Sequence, residues 1–167
     1  MIVYRVAHKM VKELLTGSGR DSRWCSSGRK VIYTSSSVAL ACLENVIRRS
    51  GLGFSSDFQA IFYEISDNIR IEEVPVKALN DNWRLRSNYS YCQAIGNKWY
   101  DKKDSIVLKV PSAIIPDEFN YVIKTTSPEI GRIKIKATKP FIPDERLENI
   151  LQSIDIKKLK QSIAGKR

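Results

Sequence analysis

The 167 residues, 19.1 kDa in all, make one domain's worth of chain, long enough to bury about 70% of its unfolded surface without a metal or disulfide staple. With 43% apolar and 28% charged residues, 8 Gly, 6 Pro and a mean hydropathy of -0.29, collagen-like, low-complexity and disordered classes are excluded. The excess of 28 Lys+Arg over 18 Asp+Glu gives a formal net charge of +10 and directs attention to anionic partners such as nucleic acid, membrane or an acidic protein.

The rare residues exclude more. A single histidine, His8, cannot supply a His-rich metal site, and Cys25, Cys42 and Cys92 share no metal-binding spacing, so no metal is expected. An odd cysteine count behind an N-terminus (MIVYRVAHKM) without a signal-peptide core points to a reducing, cytoplasmic setting. No apolar run approaches the roughly eighteen residues that span a bilayer, so no membrane insertion is expected.

In chain order, Ile2 to Val6 reads as a strand, and Thr16 to Lys30, rich in Gly, Ser and Arg, as a loop whose donors suit an anion. Val31 to Thr34 is a β-branched and aromatic strand. Ser35-Ser36-Ser37 offers N-caps for a helix through about Arg49, with Gly51 placed for a C-cap. Leu40, Ala41, Leu43 and Ile47 place an apolar stripe around Glu44. Ala60 to Ile65 is a strand, and Asn82 to Tyr100 predicts loops with a short helix near Ser90 to Trp99. Strands follow at Ser105 to Val110, Asn120 to Lys124 and Gly131 to Lys136, the last alternating Ile133 and Ile135 with Arg132, Lys134 and Lys136. Pro143-Asp144-Glu145 opens an amphipathic helix carrying Leu147, Ile150, Leu151 and Ile154. The order predicts an α+β domain over 1–156, a mixed β-sheet core with flanking helices, and a basic tail over 157–167.

Residues 157–167 hold five basic side chains and no acid, and 132–139 hold four more. Stacking platforms for nucleic acid need interleaved aromatics, and neither stretch contains a Tyr or Trp. No direct nucleic-acid binding is therefore expected from this chain alone; the charge reads as a docking surface for an acidic partner or as solvated surface.

Four polar features stand where apolar residues are expected: Arg5 in the first strand, Arg23 beside Trp24 in the loop, Tyr33 in the second strand, and Glu44 on the helix. One reading is an Arg5–Glu44 ion pair with a packed Tyr33. The other is a cleft in which guanidinium forks hold a diphosphate while a carboxylate faces a developing cation. NAD asks for both at once, because cleavage of its nicotinamide–ribose bond passes through an oxocarbenium-like ribose.

The sequence resembles the RES domain family. The resemblance runs through Tyr4-Arg5-Val6, Gly19 to Gly28 (GRDSRWCSSG), VIYTSSSVALACLE ending at Glu44, and Cys92-Gln93-Ala94-Ile95-Gly96 with Trp99. It continues in LKVPSAIIPDEFNYVI from Leu108 and in Phe141 to Leu147. The family is named for an arginine, a glutamate and a serine; the last two match Glu44 and Ser112, while Arg5 and Arg23 both fall in matching motifs. The resemblance implies a fold similar to ADP-ribosyltransferase toxins of the diphtheria type, and a cytoplasmic bacterial toxin that consumes NAD as substrate with no cofactor. It also implies a hetero-oligomeric complex with an Xre-type helix-turn-helix antitoxin. By the same resemblance Arg5 and Arg23 grip the NAD phosphates and Tyr33 orients the nicotinamide end. Glu44 stabilises the ribosyl cation, Ser112 bonds substrate or positions Glu44, and Gln93 belongs to the same shell.

The chain departs from the family pattern at Asp21-Ser22, where paired glycines are usual, and at Lys124 to Pro128, where the family has an Asn-Pro-x-His stretch, so no role of that histidine carries over. Three other activities stay open at this level. They are ADP-ribosyl transfer to a protein, a non-catalytic basic binding module, and a Cys25–His8 nucleophile pair.

Overall fold

The structure is a computed structural model and describes residues 1–11, 15–50, 53–54, 57–102, 104–151 and 153. Its strands are β1 (Ile2–His8), β2 (Val31–Ser35), β3 (Phe58–Ile65), β4 (Ile71–Glu73), β5 (Val107–Pro111), β6 (Phe119–Lys124) and β7 (Ile133–Pro140). Helix α1 (Val38–Arg48) follows β2, and α2 (Tyr89–Asp101) precedes β5. The sheet order is β4-β5-β6-β2-β1-β3-β7, antiparallel throughout except for the parallel β4–β5 pair. The class is α+β with a mixed sheet.

One junction in that sheet lies next to the candidate site. β1 and β3 are in register from Ile2↔Glu64 to His8↔Phe58, and β2 and β6 from Val31↔Lys124 to Ser35↔Asn120, but β1 and β2 meet only at Tyr4↔Ser35. The seven strands are therefore two half-sheets hinged at one residue pair. Alternation along each strand sends the two faces to different cores. Val3, Ala7, Ile61 and Tyr63 of one half pack with Ile32, Ile123 and Val107 of the other, so the half-sheets face each other across a shared core. On the outer face of the β1–β3 half, Val6 and Phe58 pack against Ala41 and Cys42 of α1. On the outer face of the other half, Val31, Leu108, Val110 and Val122 pack with Trp24, Cys92 and Trp99, which brings in α2.

Several sequence expectations shift by a few residues for identifiable reasons. Ser37 is the N-cap of α1, its side chain accepting from Leu40 N, but the helix closes on Arg49 with Ser50 at φ 60; Gly51 lies outside the described residues. The buried stripe of α1 is Leu40, Ala41, Cys42 and Asn45, while Leu43 (38%) and Ile47 (61%) are exposed. Asn45 takes the inward place because its amide donates to Val6 O (2.7 Å), fastening α1 to β1. The strand expected from Gly131 begins at Ile133, since Ser127 caps a 3-10 helix over Pro128–Arg132. Its alternation holds, with Ile133 buried and Lys134 and Lys136 exposed. Helical turns cover 145–151, while Ile154 and the basic tail, 157–167, lie outside the described residues.

Candidate active site

Glu44 projects from the second turn of α1 toward the hinge between the half-sheets. Its Oε1 accepts from Asn120 Nδ2 at 2.5 Å and from Ser112 Oγ at 3.3 Å. Among the described residues Oε2 accepts no hydrogen bond, and no ion pair joins Glu44 to Arg5. The carboxylate is thus oriented by neutral donors rather than neutralised by a guanidinium, which preserves its charge for a ligand. Asn120 is held in turn by Ser35, whose Oγ donates to Asn120 Oδ1 (2.7 Å). Ser35 is itself the β2 half of the hinge pair.

Ser112, directly after Pro111, does two things. Its backbone N–H donates to Glu118 O (2.8 Å), and its Oγ accepts from Ile114 N and Ile115 N (3.1 and 3.2 Å). The chain turns on the same hydroxyl that faces Glu44.

Tyr33 lies on the same face of β2 as Ser35, and its hydroxyl shares a 2.5 Å hydrogen bond with Ser22 Oγ. Burial, followed by the nearby Cys25, pushes the phenol well above its usual range, so it stays neutral at physiological pH. Gln93, on α2, donates through Nε2 to Ser22 O (2.7 Å) and to Asp21 Oδ1 (2.9 Å). Gln93, Ser22 and Tyr33 form one chain that fixes the loop against the ring. Asp21 and Ser22, where the family has glycines, supply two of its members. Gly96, one turn after Gln93, allows α2 to touch the loop: a Cβ there would lie 1.8 Å from Trp24 O.

The two arginines are in different states. The Arg23 guanidinium donates to Trp83 O (2.5 Å) and Arg84 O (2.8 Å) and sits over the Tyr89 ring, 4.5 Å from its centroid, so it fastens the 83–85 segment. Arg5 follows the hinge residue Tyr4, on the β1 face that carries Val3 and Ala7 into the shared core, just where β1 and β2 stop pairing. Its Nη1 is buried without a hydrogen-bond partner, as is the hydroxyl of nearby Tyr63. Tyr63 is pushed up by burial, which Arg5 opposes. At the end of α1, Arg48 is held below its ordinary value by burial and then by repulsion from Arg5, Arg20 and Arg49. Neither Arg5, Arg20 nor Arg48 joins an ion pair among the described residues, so this side of the hinge carries uncompensated positive charge.

Geometry separates the remaining candidates. Burial raises the Cys25 thiol to about 11, against the pull of Tyr33 and Arg29, which leaves no thiolate near neutrality. His8 is elsewhere, 3.8 Å from Asp57 and edge-on to Phe58, so the Cys25–His8 pair is not assembled. Among the described residues no group of three or more His, Cys, Asp and Glu is placed to hold a metal, and no helix is long and apolar enough to cross a membrane. Asn120 does not stand out in the sequence and Ser35 does so only as an N-cap candidate; Asn120 stands beside Tyr121 at the start of a strand, where a polar residue reads as strand-end punctuation.

Comparison with known proteins agrees with this architecture. The chain is 32% identical to Toxin Res of Photorhabdus laumondii over 127 residues, 74% of this chain and 81% of that one. It is 28% identical to Toxin Res of Pseudomonas putida, over 88% of this chain and 99% of that one. It is also 28% identical to the Prs ADP-ribosylating toxin of a Sphingobium species, over 80% and 86% respectively. In fold it is similar to a chain of the M. tuberculosis MbcT-MbcA toxin-antitoxin complex, with a TM-score of 0.65 at 18% identity, covering 92% of this chain and 87% of that one. The RES domain model matches residues 2–147, from the first strand through the turns that carry Leu147, and the chain belongs to the RES domain family.

Proposed function

We propose that this chain is the toxin of a bacterial toxin–antitoxin pair and that it cleaves NAD at the nicotinamide–ribose bond. The observation that carries the reading is the Glu44 carboxylate, aimed by Asn120 and Ser112, in no ion pair with an arginine among the described residues, and set at the hinge of two half-sheets one helical turn from Arg48, which Arg5 and Arg20 neighbour. That arrangement suits a substrate that is cationic at the reacting carbon and anionic a few bonds away.

In this reading Arg5 takes a phosphate oxygen on its unpartnered Nη1, and Arg23, from the loop it fastens, contacts the same diphosphate. Tyr33, a neutral phenol, packs against the nicotinamide end, and Gln93 holds that tyrosine through Ser22. The bond from C1′ to the nicotinamide nitrogen breaks, nicotinamide leaves with the electron pair, and Glu44 faces the ribosyl cation through Oε2. Water or inorganic phosphate then forms the new bond at C1′; attacking water releases its proton to solvent. NAD is the substrate and no cofactor takes part. The partner is an Xre-type helix-turn-helix antitoxin in a hetero-oligomeric complex, and DNA contact belongs to that partner.

The name of the Sphingobium relative favours one second reading, transfer of ADP-ribose to a protein. Incubating purified protein with NAD, with and without phosphate, and identifying every product separates the two. Free ADP-ribose or its phosphate ester supports cleavage; labelled NAD that marks a discrete protein band supports transfer. Unchanged NAD and no labelled band contradicts both. A small helix-turn-helix reading frame next to this one supports the partner.

A further inference from the structure

Glu44 is one end of a three-residue series. Ser35 Oγ donates to Asn120 Oδ1 at 2.7 Å, which commits the amide oxygen and turns Nδ2 toward Glu44 Oε1 at 2.5 Å. Each link has a backbone reason. Ser35 and Asn120 face each other in the β2–β6 register, so their side chains emerge on one face of adjacent strands. Ser35 is 3% exposed, so little water reaches it to compete for the bond. Ser112 adds a longer bond to the same carboxylate oxygen, so Oε1 is doubly engaged while Oε2 is left to a ligand. Ser35 is also the single β2 residue paired with β1, opposite Tyr4, which neighbours Arg5. The aim of the carboxylate and the junction between the half-sheets thus rest on one residue.

We propose that Asn120 and Ser35 are positioning residues for Glu44. Asn120 selects which carboxylate oxygen faces the reacting carbon, and Ser35 acts through Asn120 by fixing the amide's orientation. An asparagine free to turn would present its carbonyl oxygen to the carboxylate, and the two would push apart. Ser35 removes that option by occupying the carbonyl. This rests on the NAD-cleaving reading for its kinetic consequences; the hydrogen-bond series itself is testable without them.

The test uses the full chain and two readouts. In the first, side-chain amide resonances of Asn120 are followed by NMR in wild type, Glu44→Gln and Ser35→Ala. Displacement of the Asn120 amide protons in both variants supports the series, and unchanged resonances overturn it whether or not NAD is consumed. In the second, nicotinamide release gives kcat and KM. Asn120→Ala lowers kcat about 10- to 100-fold with KM within about threefold, the loss expected when one hydrogen bond to a charged group disappears. Asn120→Asp keeps the shape and the acceptor for Ser35 while replacing the donor, and lowers kcat at least as far. Ser35→Ala lowers kcat less, Ser35→Thr recovers most of it, and Ser35→Ala adds nothing in the Asn120→Ala background. An Asn120→Ala kcat within about twofold of wild type, or losses at Ser35 and Asn120 that multiply, overturns the proposal. A wild-type protein that leaves NAD intact while the resonances shift as expected instead contradicts the NAD reading alone.

Discussion

Replacing Arg5 with methionine should separate a binding arginine from a structural one. Arg5 interrupts an otherwise apolar strand, and its Nη1 is buried with no partner. An unsatisfied buried donor costs about 1–3 kcal/mol, more when it is charged. Methionine has a similar length and fills the same corridor without the donor. Arg5→Met should therefore leave stability unchanged or raise it by about 1–2 kcal/mol, an upward move in Tm of about 2–8 °C for a domain of this size. Ligand binding should move the other way. Loss of one or two charge-assisted hydrogen bonds to phosphate, about 1.5–3 kcal/mol each, raises the KM for NAD by tenfold or more. The assays are a thermal melt of the purified protein and initial rates of nicotinamide release across NAD concentrations. A Tm that falls by more than about 5 °C with KM unchanged would show that Arg5 serves the fold and would refute the reasoning.

The other expectations can be checked on the same protein. Gly96→Ala places a methyl within 1.8 Å of Trp24 O, so α2 must back away from the loop; a loss of about 1–3 kcal/mol in a urea titration is expected, with lowered activity because Gln93 moves too. Cys25 binds its proton more tightly when folded, about 11 against an ordinary 9.0, so its contribution to stability is complete below pH 9 and is lost as pH rises toward 11. Cys25→Ala should flatten the fall in the urea midpoint between pH 9 and 11 without abolishing it, since Tyr33 and Tyr63 shift in the same direction; an identical slope would contradict the assignment. Arg23→Lys cannot reproduce the fork that spans Trp83 O and Arg84 O, and proteolysis near 83–85 should become faster than in wild type at equal Tm.

Most strands were legible from their apolar pattern and α1 from its cap, while α2 was placed near 90–99 with no cap to mark its start. Ser37 does cap α1, and the Ile/Lys alternation of β7 does sort into buried and exposed faces. β4 escaped because three residues, two of them Glu72 and Glu73, carry no alternation of their own and are strands only by pairing with β5. The α1 stripe was read correctly at Leu40 and Ala41 but not at Leu43 and Ile47, whose inward places belong to Cys42 and Asn45. Asn45 is polar by composition yet buried, because Val6 O demands a donor there, and this leaves Leu43 and Ile47 outside. Of the candidate site, the residue types at Arg5, Tyr33, Glu44 and Ser112 stand out in the sequence. The contacts that hold them do not. That Arg23 closes on carbonyls sixty residues away, that Gln93 reaches Tyr33 through Ser22, and that Asn120 aims Glu44 all depend on strand register and loop packing, which local patterns do not encode.

The same gap separates two expectations for Glu44. Were it paired with Arg5, removing its charge would leave a buried cation alone, at a cost of about 3–5 kcal/mol. Held by Asn120 and Ser112 instead, Glu44→Gln should fold with a Tm close to wild type. The most direct measurement is therefore nicotinamide release from NAD by purified wild-type protein and by Glu44→Gln, each with its melting curve. The account predicts turnover by wild type and a loss of at least a hundredfold in the variant at nearly equal Tm. Equal rates in the two proteins, or no release by a folded wild type, would contradict it.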